Sequence, residues 1–237
     1  MFDLAPLENL KSLHTLTLNL SHNRMGDGGT EGLQCLIKLP SLTNLSLKLR
    51  HNELGKADTE CMNLLFRAKL HTLFLDLGCN RCPVVMQDIT KAHALCNLSL
   101  GLSDTGPWPT NSPGPLPALC ANSTRLRTLR LEMRRNGLGP EALMPLSMLS
   151  SNLQELGLDF SGNPLGPGAL SGLTAAISQA HHLKNLALGL RRANLSLGDA
   201  ESLGRAVQRC RTQGMLRQLS VDFSHNQVSW QTAPFWG

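Results

Sequence analysis

One leucine pattern recurs eight times along the 237-residue chain. In each copy a leucine is followed by apolar residues three, five and seven positions later, as in the segment LHTLTLNL. The copies begin at Leu13, Leu42, Leu70, Leu95, Leu126, Leu153, Leu183 and Leu216. Alternation with a period of two predicts a strand with one buried face. A repeat of 25 to 33 residues predicts one supersecondary unit per copy, stacked so that neighbouring units complete a common core.

An asparagine stands ten positions after most of the starting leucines. The set comprises Asn23, Asn52, Asn80, Asn136, Asn163 and Asn226, and we assign the seventh unit's copy to Asn194, one position later. The fourth unit has Thr105 instead. Because a side-chain amide both donates and accepts hydrogen bonds, it can satisfy the backbone of a buried turn. The column therefore predicts a ladder of stacked asparagines that joins consecutive units.

The second half of each unit carries the apolar spacing of a helix, as at Leu170, Leu173 and Ile177. A strand followed by a helix in every unit predicts parallel strands side by side, about 4.8 Å apart. Packed helices need about 8–10 Å. Because of this difference the stack should curve, with the strands on a concave inner wall and the helices on the convex side.

The pattern of leucines and asparagines resembles the ribonuclease-inhibitor-like class of leucine-rich repeats, and the resemblance covers essentially the whole chain. It implies an α/β fold, a leucine-rich-repeat solenoid shaped as a horseshoe or arc, with about eight repeats. In that class the asparagine stands eight positions after the first leucine, whereas here it stands ten positions after it. The difference predicts a strand longer by two residues and a sheet wider by about 6–7 Å.

We expect one domain over residues 1–237, with repeats over 13–226, an N-terminal cap or partial repeat over 1–12, and a C-terminal tail or cap over 227–237. In the fourth unit, residues 103–117 contain five prolines, which disfavour a regular helix and predict an irregular loop. Trp108 in this loop either packs on a neighbouring helix or belongs to a proline-rich recognition segment. The aromatic residues that could cover the C-terminal end are Trp230, Phe235 and Trp236.

Side chains that alternate with the buried leucines are expected on the concave wall. On the last four strands they form a charged group of candidate partner-binding residues, namely Arg130, Glu132, Arg134, Arg135, Asp159, Arg191, Arg192 and Asp222. A second candidate group comprises Lys48, Arg50, His51, Phe74 and Asp76. Two interpretations fit the first group: a solvated ladder of ion pairs, with Asp159 diagonally between Arg134 and Arg191, or an arginine-rich patch that binds a partner.

The formal net charge of +5 favours an acidic protein partner. Nucleic acid is disfavoured because the arginines are interleaved with acids and the predicted wall lacks stacking aromatics apart from Phe74. The sequence has no run of about 18 apolar residues, so we expect no membrane-spanning helix. No hydrophobic signal segment stands at the N-terminus, and we therefore expect the seven cysteines to be reduced, in an intracellular and most simply cytoplasmic compartment.

One group of residues, Cys79, Cys82, His93 and Cys96, superficially suggests a zinc site. The repeat register argues against it, because Cys79 follows the third strand while Cys96 precedes the fourth, roughly 26 Å away along the strand direction. Cys82 also aligns with core residues of other units. The sequence carries no phosphate-binding loop, nucleophile elbow or H-E-x-x-H pattern. We therefore expect no metal, no cofactor and no catalytic activity.

The leading hypothesis for function is a non-enzymatic protein–protein interaction module that binds a macromolecular partner through its concave sheet, because a rigid curved wall offers a large pre-organised surface. The family resemblance also implies an alternative, a regulator of an enzyme such as a GTPase activator or an inhibitor. The long acidic tail of the Ran-activating relatives is missing here. A third hypothesis is an architectural subunit, or a fragment of a larger repeat protein. The partner and the oligomeric state stay open.

Overall fold

The computed structural model describes residues 4–81, 87–107, 116–121, 123–212 and 215–228. One eight-stranded sheet runs through the molecule, and each strand pairs in parallel with the next along the chain. The strands are β1 Thr15–Asn19, β2 Asn44–Lys48, β3 Thr72–Asp76, β4 Asn97–Gly101, β5 Thr128–Glu132, β6 Glu155–Asp159, β7 Asn185–Gly189 and β8 Gln218–Asp222. The predicted parallel inner sheet is confirmed.

Equivalent leucines of successive units lie side by side in this sheet. Leu16 pairs with Leu45, which pairs with Leu73, and the series continues to Leu219 in the last strand. In the central strands these side chains are fully buried, and together with the convex segments they form one continuous core. Their burial supplies the main favourable term of folding, about 2 kcal/mol for each fully buried leucine.

Parallel hydrogen bonding continues beyond the strand ends, at the carboxyl edge of the sheet. The Leu20 amide donates to the carbonyl of Lys48 at 2.8 Å, and the His22 amide donates to the carbonyl of Arg50 at 2.9 Å. The same bonds recur between later units. Because of this pairing, the residues just after each strand are held in register with their neighbours.

The convex side is built from helices of two kinds. The α-helices are α1 Asp58–Leu65, α2 Leu116–Ala121, α3 Ser171–Gln179 and α4 Leu197–Thr212, and the 3₁₀ helices are Ala5–Asn9, Glu31–Lys38, Gln87–Lys91, Ser123–Arg125 and Pro140–Met148. The sequence predicted a helical segment in the second half of the units, but neither the 3₁₀ form nor the two short helices of the fourth unit. In the segment Pro140–Met148, Pro145 disfavours the α form, since proline lacks the amide donor that an α-helix interior needs. No helix among the described residues has both the length and the apolar character needed to cross a membrane.

The proline-rich segment 103–117 is only partly described. Its first residues form the turn after β4, and Leu116 and Pro117 already belong to α2. The expectation of irregular structure is therefore wrong for these last two residues, because a proline in the first turn of a helix occupies a position whose amide has no helical partner. Trp108 lies outside the described residues, as do Cys82 and the terminal aromatics Trp230, Phe235 and Trp236.

The predicted asparagine ladder runs along the sheet beside its carboxyl edge. From Asn52 onwards each member donates its side-chain amide to a carbonyl of the preceding unit, and most also donate to one of their own unit, as Asn163 does to Met133 and Phe160 at 2.8 and 2.7 Å. Its carbonyl oxygen accepts from the backbone of the preceding unit, here from the amide of Asn136 at 2.8 Å. Asn52, Asn80, Asn136 and Asn163 are buried, whereas Asn226 is half-buried and Asn23, at the first unit, is exposed.

The ladder position of the seventh unit is Ala193, and the assignment of Asn194 is wrong. Ala193 is fully buried and its amide donates to Asn226 Oδ1 at 3.0 Å. Asn194 is exposed, with a left-handed backbone at φ 56°. The leucines of β7 fix the backbone register, and a neighbouring asparagine cannot shift it. In the fourth unit the hydroxyl of Thr105 takes the ladder position and donates to the Leu102 carbonyl at 3.0 Å.

Two buried aspartates join convex turns, and sequence reasoning missed both. Asp58 accepts from the amides of Gly28, Thr30 and Gly55 at 2.9 to 3.0 Å, and so links the first and second units. Asp199 does the same between the sixth and seventh units, with the amide of Gly168 as one donor at 3.0 Å. Both stand sixteen positions after their starting leucines, which is the signal that could have identified them.

Candidate binding surface on the concave sheet

The candidate residues occupy two separate areas of the concave wall. The first group lies on β5 to β8 and the residues that directly follow these strands, and the second lies on β2 and β3 and the residues after β2. Between them, β4 and its extension present small side chains, namely Ser99, Gly101 and Ser103. The structure therefore brings the members of each group together but keeps the two groups apart.

In the first group, arginines on the β5 side contact carboxylates on β6. An ion pair joins Arg134 Nη2 to Asp159 Oδ2 at 2.6 Å, and another joins Arg130 Nη2 to Glu155 Oε2 at 3.2 Å. The ladder interpretation would have Asp159 contact Arg191 as well, but the structure shows an ion pair of Asp159 with Arg134 alone among the described residues. Asp159 uses its second oxygen to accept from the Ser161 amide at 3.0 Å, and Arg191 instead lies 3.2 Å from Nε2 of His225.

Arg135 points to the opposite side, towards the fourth unit. Its Nε donates to Asp104 Oδ1 at 2.6 Å, and its Nη2 contacts the other carboxylate oxygen. The hydrogen bond and charge of Arg135 lower the pKa of Asp104 below its ordinary value. Asp104 was not among the predicted residues, because the fourth unit departs from the repeat pattern at this point.

Asp104 and Arg135 belong to a column of residues, nine positions after each starting leucine, that line the carboxyl edge of the sheet. Its non-glycine members all have a left-handed backbone, and they are His22, His51, Cys79, Asp104, Arg135, Arg192 and His225. The first two carry stacked imidazole rings whose centroids are 4.5 Å apart. A left-handed backbone conformation is unfavourable for residues other than glycine and asparagine, so the hydrogen bonds of the surrounding turn must stabilise it. This column could have been recognised from the sequence, because polar residues recur next to the ladder asparagine.

Several charged side chains lie flat across a glycine of the following strand. A Cβ atom on Gly189 would stand 2.5 Å from Asp159 Cγ, and one on Gly101 would stand 2.6 Å from Asp76 Oδ1. At Gly162 the close atom is Arg135 Cγ, 2.9 Å from where a Cβ would be, while the Arg135 guanidinium turns away to Asp104. Gly101 and Gly189 thus keep the space into which the carboxylates of Asp76 and Asp159 lean.

An open groove crosses β5 to β8 on the concave side. Its volume is about 730 Å³, and Gly157, Ala187 and Gly189 provide a floor of small residues. A second groove of about 670 Å³ lies at the carboxyl ends of β5 to β8, lined by arginines and aspartates. Both grooves are wide and polar, which suits an extended or loop segment of a macromolecule better than an enclosed small molecule.

The second candidate group is less charged and more closely packed. Lys48 Nζ lies 5.8 Å from the centroid of the Phe74 ring, within the range of a cation–π interaction. Arg50 Nη2 donates to Cys79 Sγ at 3.3 Å, and Asp76 Oδ1 accepts from the amide of Gly78 at 3.0 Å. His51 stacks on His22 of the first unit. These contacts are largely satisfied within the group itself.

Cysteine positions are as the repeat register predicts. Cys79 follows β3 and Cys96 directly precedes β4, so they stand at opposite edges of the sheet. Within the described part of the chain, no three histidine, cysteine or acidic side chains are grouped as metal ligands. Burial raises the pKa of the Cys61 thiol to about 11 and that of Cys120 to about 12, as expected for cysteines that serve as small core residues.

Comparison with known proteins identifies the fold. No protein-family model matches the chain, and no curated protein matches it in sequence. The structure is similar to an internalin (inlF) from Listeria monocytogenes, with a TM-score of 0.54, 18% identity, and coverage of 96% of this chain and 59% of the internalin. Internalin C2 (inlC2) from the same organism gives a TM-score of 0.47 and 19% identity, with coverage of 93% and 76%. The chain thus has the leucine-rich-repeat solenoid fold, and spans 59% of the length of inlF.

Proposed function

We propose that the chain is a non-enzymatic interaction module that binds a protein partner through the concave face of β5 to β8. The observation that carries the proposal is the open groove of about 730 Å³ on this face, with a floor of small residues and a border of charged side chains held in place by ion pairs. Pre-organised side chains lose little entropy on binding, so such a surface favours association.

Arginine is the main reason to favour the C-terminal half over the N-terminal half. Its guanidinium combines charge, planar hydrogen bonding and apolar contact, and it is enriched among residues that dominate binding energies. Arg130 and Arg134 are more than 45% exposed even while paired. By contrast, the group around Lys48 and Phe74 satisfies most of its contacts internally.

The test is a charge reversal on the concave face. Arg134→Glu combined with Arg191→Glu should reduce capture of the chain's partners from cross-linked lysate at least about ten-fold, because two positive contacts become repulsive. The matched control is Arg205→Glu with Arg209→Glu on α4, on the convex side, and should leave capture unchanged. Quantitative mass spectrometry measures capture, and a melting temperature within a few degrees of the unmodified chain verifies folding.

Equal capture by the two double variants would reject the concave surface of β5 to β8 as the binding face. Loss of capture in the convex variant alone would place the binding face on the convex helices. An interaction that needs the concave arginines should also weaken as salt is raised from about 50 to 500 mM, since exposed charges are then screened within a few ångströms.

A further inference from the structure

The groove at the carboxyl ends of β5 to β8 contains a slot above Ser161 and Gly162. Two arginines border it on each side, Arg134 and Arg135 towards β5 and Arg191 and Arg192 towards β7. The two flanking strands are about 10 Å apart, since one strand lies between them. Gly162 keeps the slot open: it has a left-handed backbone at φ 74°, and a side chain there would collide with Arg135.

The four arginines of the slot are not equally neutralised. Arg134 is paired with Asp159 and Arg135 with Asp104. Arg191 contacts His225, whose imidazole carries no negative charge, and Asp222 lies near enough for Arg191 to lower its pKa, after the larger effect of hydrogen bonds from Ser224. Arg192 forms no ion pair within the described ranges of the chain.

Counting these groups gives the charge that a ligand must match. Asp104 neutralises Arg135 from outside the slot, so three further guanidinium groups of the lining, those of Arg134, Arg191 and Arg192, stand against two carboxylates, Asp159 and Asp222. One positive charge is left, and a single carboxylate balances it. A phosphate monoester carries about −1.5 to −2 at neutral pH and would leave excess negative charge beside the two existing carboxylates.

We propose that this slot binds one carboxylate side chain from an acidic segment of the protein partner. The inference rests on the proposed function and specifies the chemistry that the surface recognises. Arg192 is the primary donor, because its guanidinium has no carboxylate partner in the described part of the chain and its planar fork matches the two oxygens of a carboxylate. Arg191 provides the second positive group on the same wall of the slot.

The experiment titrates the full chain with three capped peptides of the sequence GSGXGSG, in which X is glutamate, glutamine or phosphoserine. Nuclear magnetic resonance of the arginine Nε–Hε groups reports binding directly at the slot. We expect the glutamate peptide to bind at least about ten-fold more tightly than the glutamine peptide, and the phosphoserine peptide to bind no more tightly than the glutamate one.

A matched pair of variants assigns this preference to the slot. Arg192→Gln should abolish the glutamate preference and Arg192→Lys should restore it in part, because lysine keeps the charge without the fork. Since Arg192 already has φ 52°, neither substitution adds backbone strain. Arg209→Gln on the convex helix should leave the preference intact.

Three results would overturn the inference: equal binding of the glutamate and glutamine peptides, at least ten-fold tighter binding of the phosphoserine peptide, or a glutamate preference that survives Arg192→Gln.

These failures are separable from failure of the proposed function. If partner capture is lost on reversing Arg134 and Arg191 but Arg192→Gln changes neither peptide binding nor capture, the binding face stands and the carboxylate slot is rejected. If the slot discriminates the peptides while capture resists that reversal, the slot stands and the proposed face is rejected.

Discussion

At the scale of single residues, each ladder asparagine from Asn52 onwards stabilises two units at once. Asn136 illustrates this: its Nδ2 donates to the Leu102 carbonyl at 2.7 Å, and its Oδ1 accepts from the Thr105 amide at 3.0 Å. All of these groups are buried, where an unsatisfied backbone donor or acceptor costs about 1–3 kcal/mol. One side chain therefore replaces hydrogen bonds that water cannot supply in the interior.

Asn136→Ala should lower the free energy of unfolding by about 2–3 kcal/mol, because it leaves the buried Thr105 amide without its partner and removes one of the two donors to the Leu102 carbonyl. Chemical denaturation monitored by circular dichroism measures the change. Asn194→Gly is the control, and should change stability by less than about 0.5 kcal/mol, since Asn194 is exposed and its left-handed backbone suits glycine. Comparable losses in the two variants would contradict the assignment of Ala193 to the ladder.

The residues that face the core were predictable because burial is periodic, and the same period positioned most of the asparagines. The assignment of Asn194 to the ladder is wrong because the leucines of β7 set the register, whatever residue type stands beside the ladder position. The partners of charged side chains are harder to predict from the sequence. The predicted arrangement of parallel strands placed Arg134 next to Asp159. The pairing of Arg135 with Asp104 depends instead on side-chain direction in an irregular turn, which no repeat pattern encodes.

At the scale of secondary-structure elements, the convex segments differ from unit to unit while the strands stay alike. All eight strands have five residues, whereas the convex helices range from 3 to 16 residues. The strands must match one another in register, but each convex segment needs only to cover its own part of the core. Apolar spacing therefore predicted a helical segment in most units, but it does not distinguish the α form from the 3₁₀ form, since segments of eight residues occur in both.

Asp58→Ala should detach the convex turn of the first unit from that of the second. Asp58 is fully buried and accepts from three backbone amides, so its loss should lower the free energy of unfolding by about 3 kcal/mol. Asp27→Ala is the matched control: Asp27 is exposed and accepts one bond, from the Ala57 amide at 2.9 Å, and its loss should cost about 1 kcal/mol or less. Urea denaturation of the two variants gives the comparison, and equal losses would refute the special role of the buried carboxylate.

At the scale of the whole molecule, contacts between elements join neighbouring units along the chain. Within the described ranges, each convex segment packs on the segment before or after it, and each strand pairs with its sequence neighbours. Stability in such an array is a sum of unit and interface terms. The first and last strands have a strand neighbour on one side, and their inward side chains are correspondingly less buried: Leu16 and Leu18 are partly buried, and Leu219 is 44% exposed.

Hydrogen exchange of the isolated 237-residue chain should therefore be uneven along the sheet. Backbone amides of β1 and β8 should exchange at least about ten-fold faster than those of β4 and β5, because opening an outer unit disrupts one interface rather than two. Peptide-level mass spectrometry measures this order. Uniform protection across all eight strands would show instead that the array opens as a single cooperative unit.

The contacts between adjacent units also govern how the protein responds to tension. Units that touch only their neighbours are mechanically connected in series, so a pull on the two ends acts on every junction with the same force. The weakest junction yields first, and an unravelled unit of about 30 residues adds roughly 100 Å of extended polypeptide. At a fixed end-to-end extension this released length lowers the tension on the units that remain folded, so a solenoid of this kind lengthens in discrete steps.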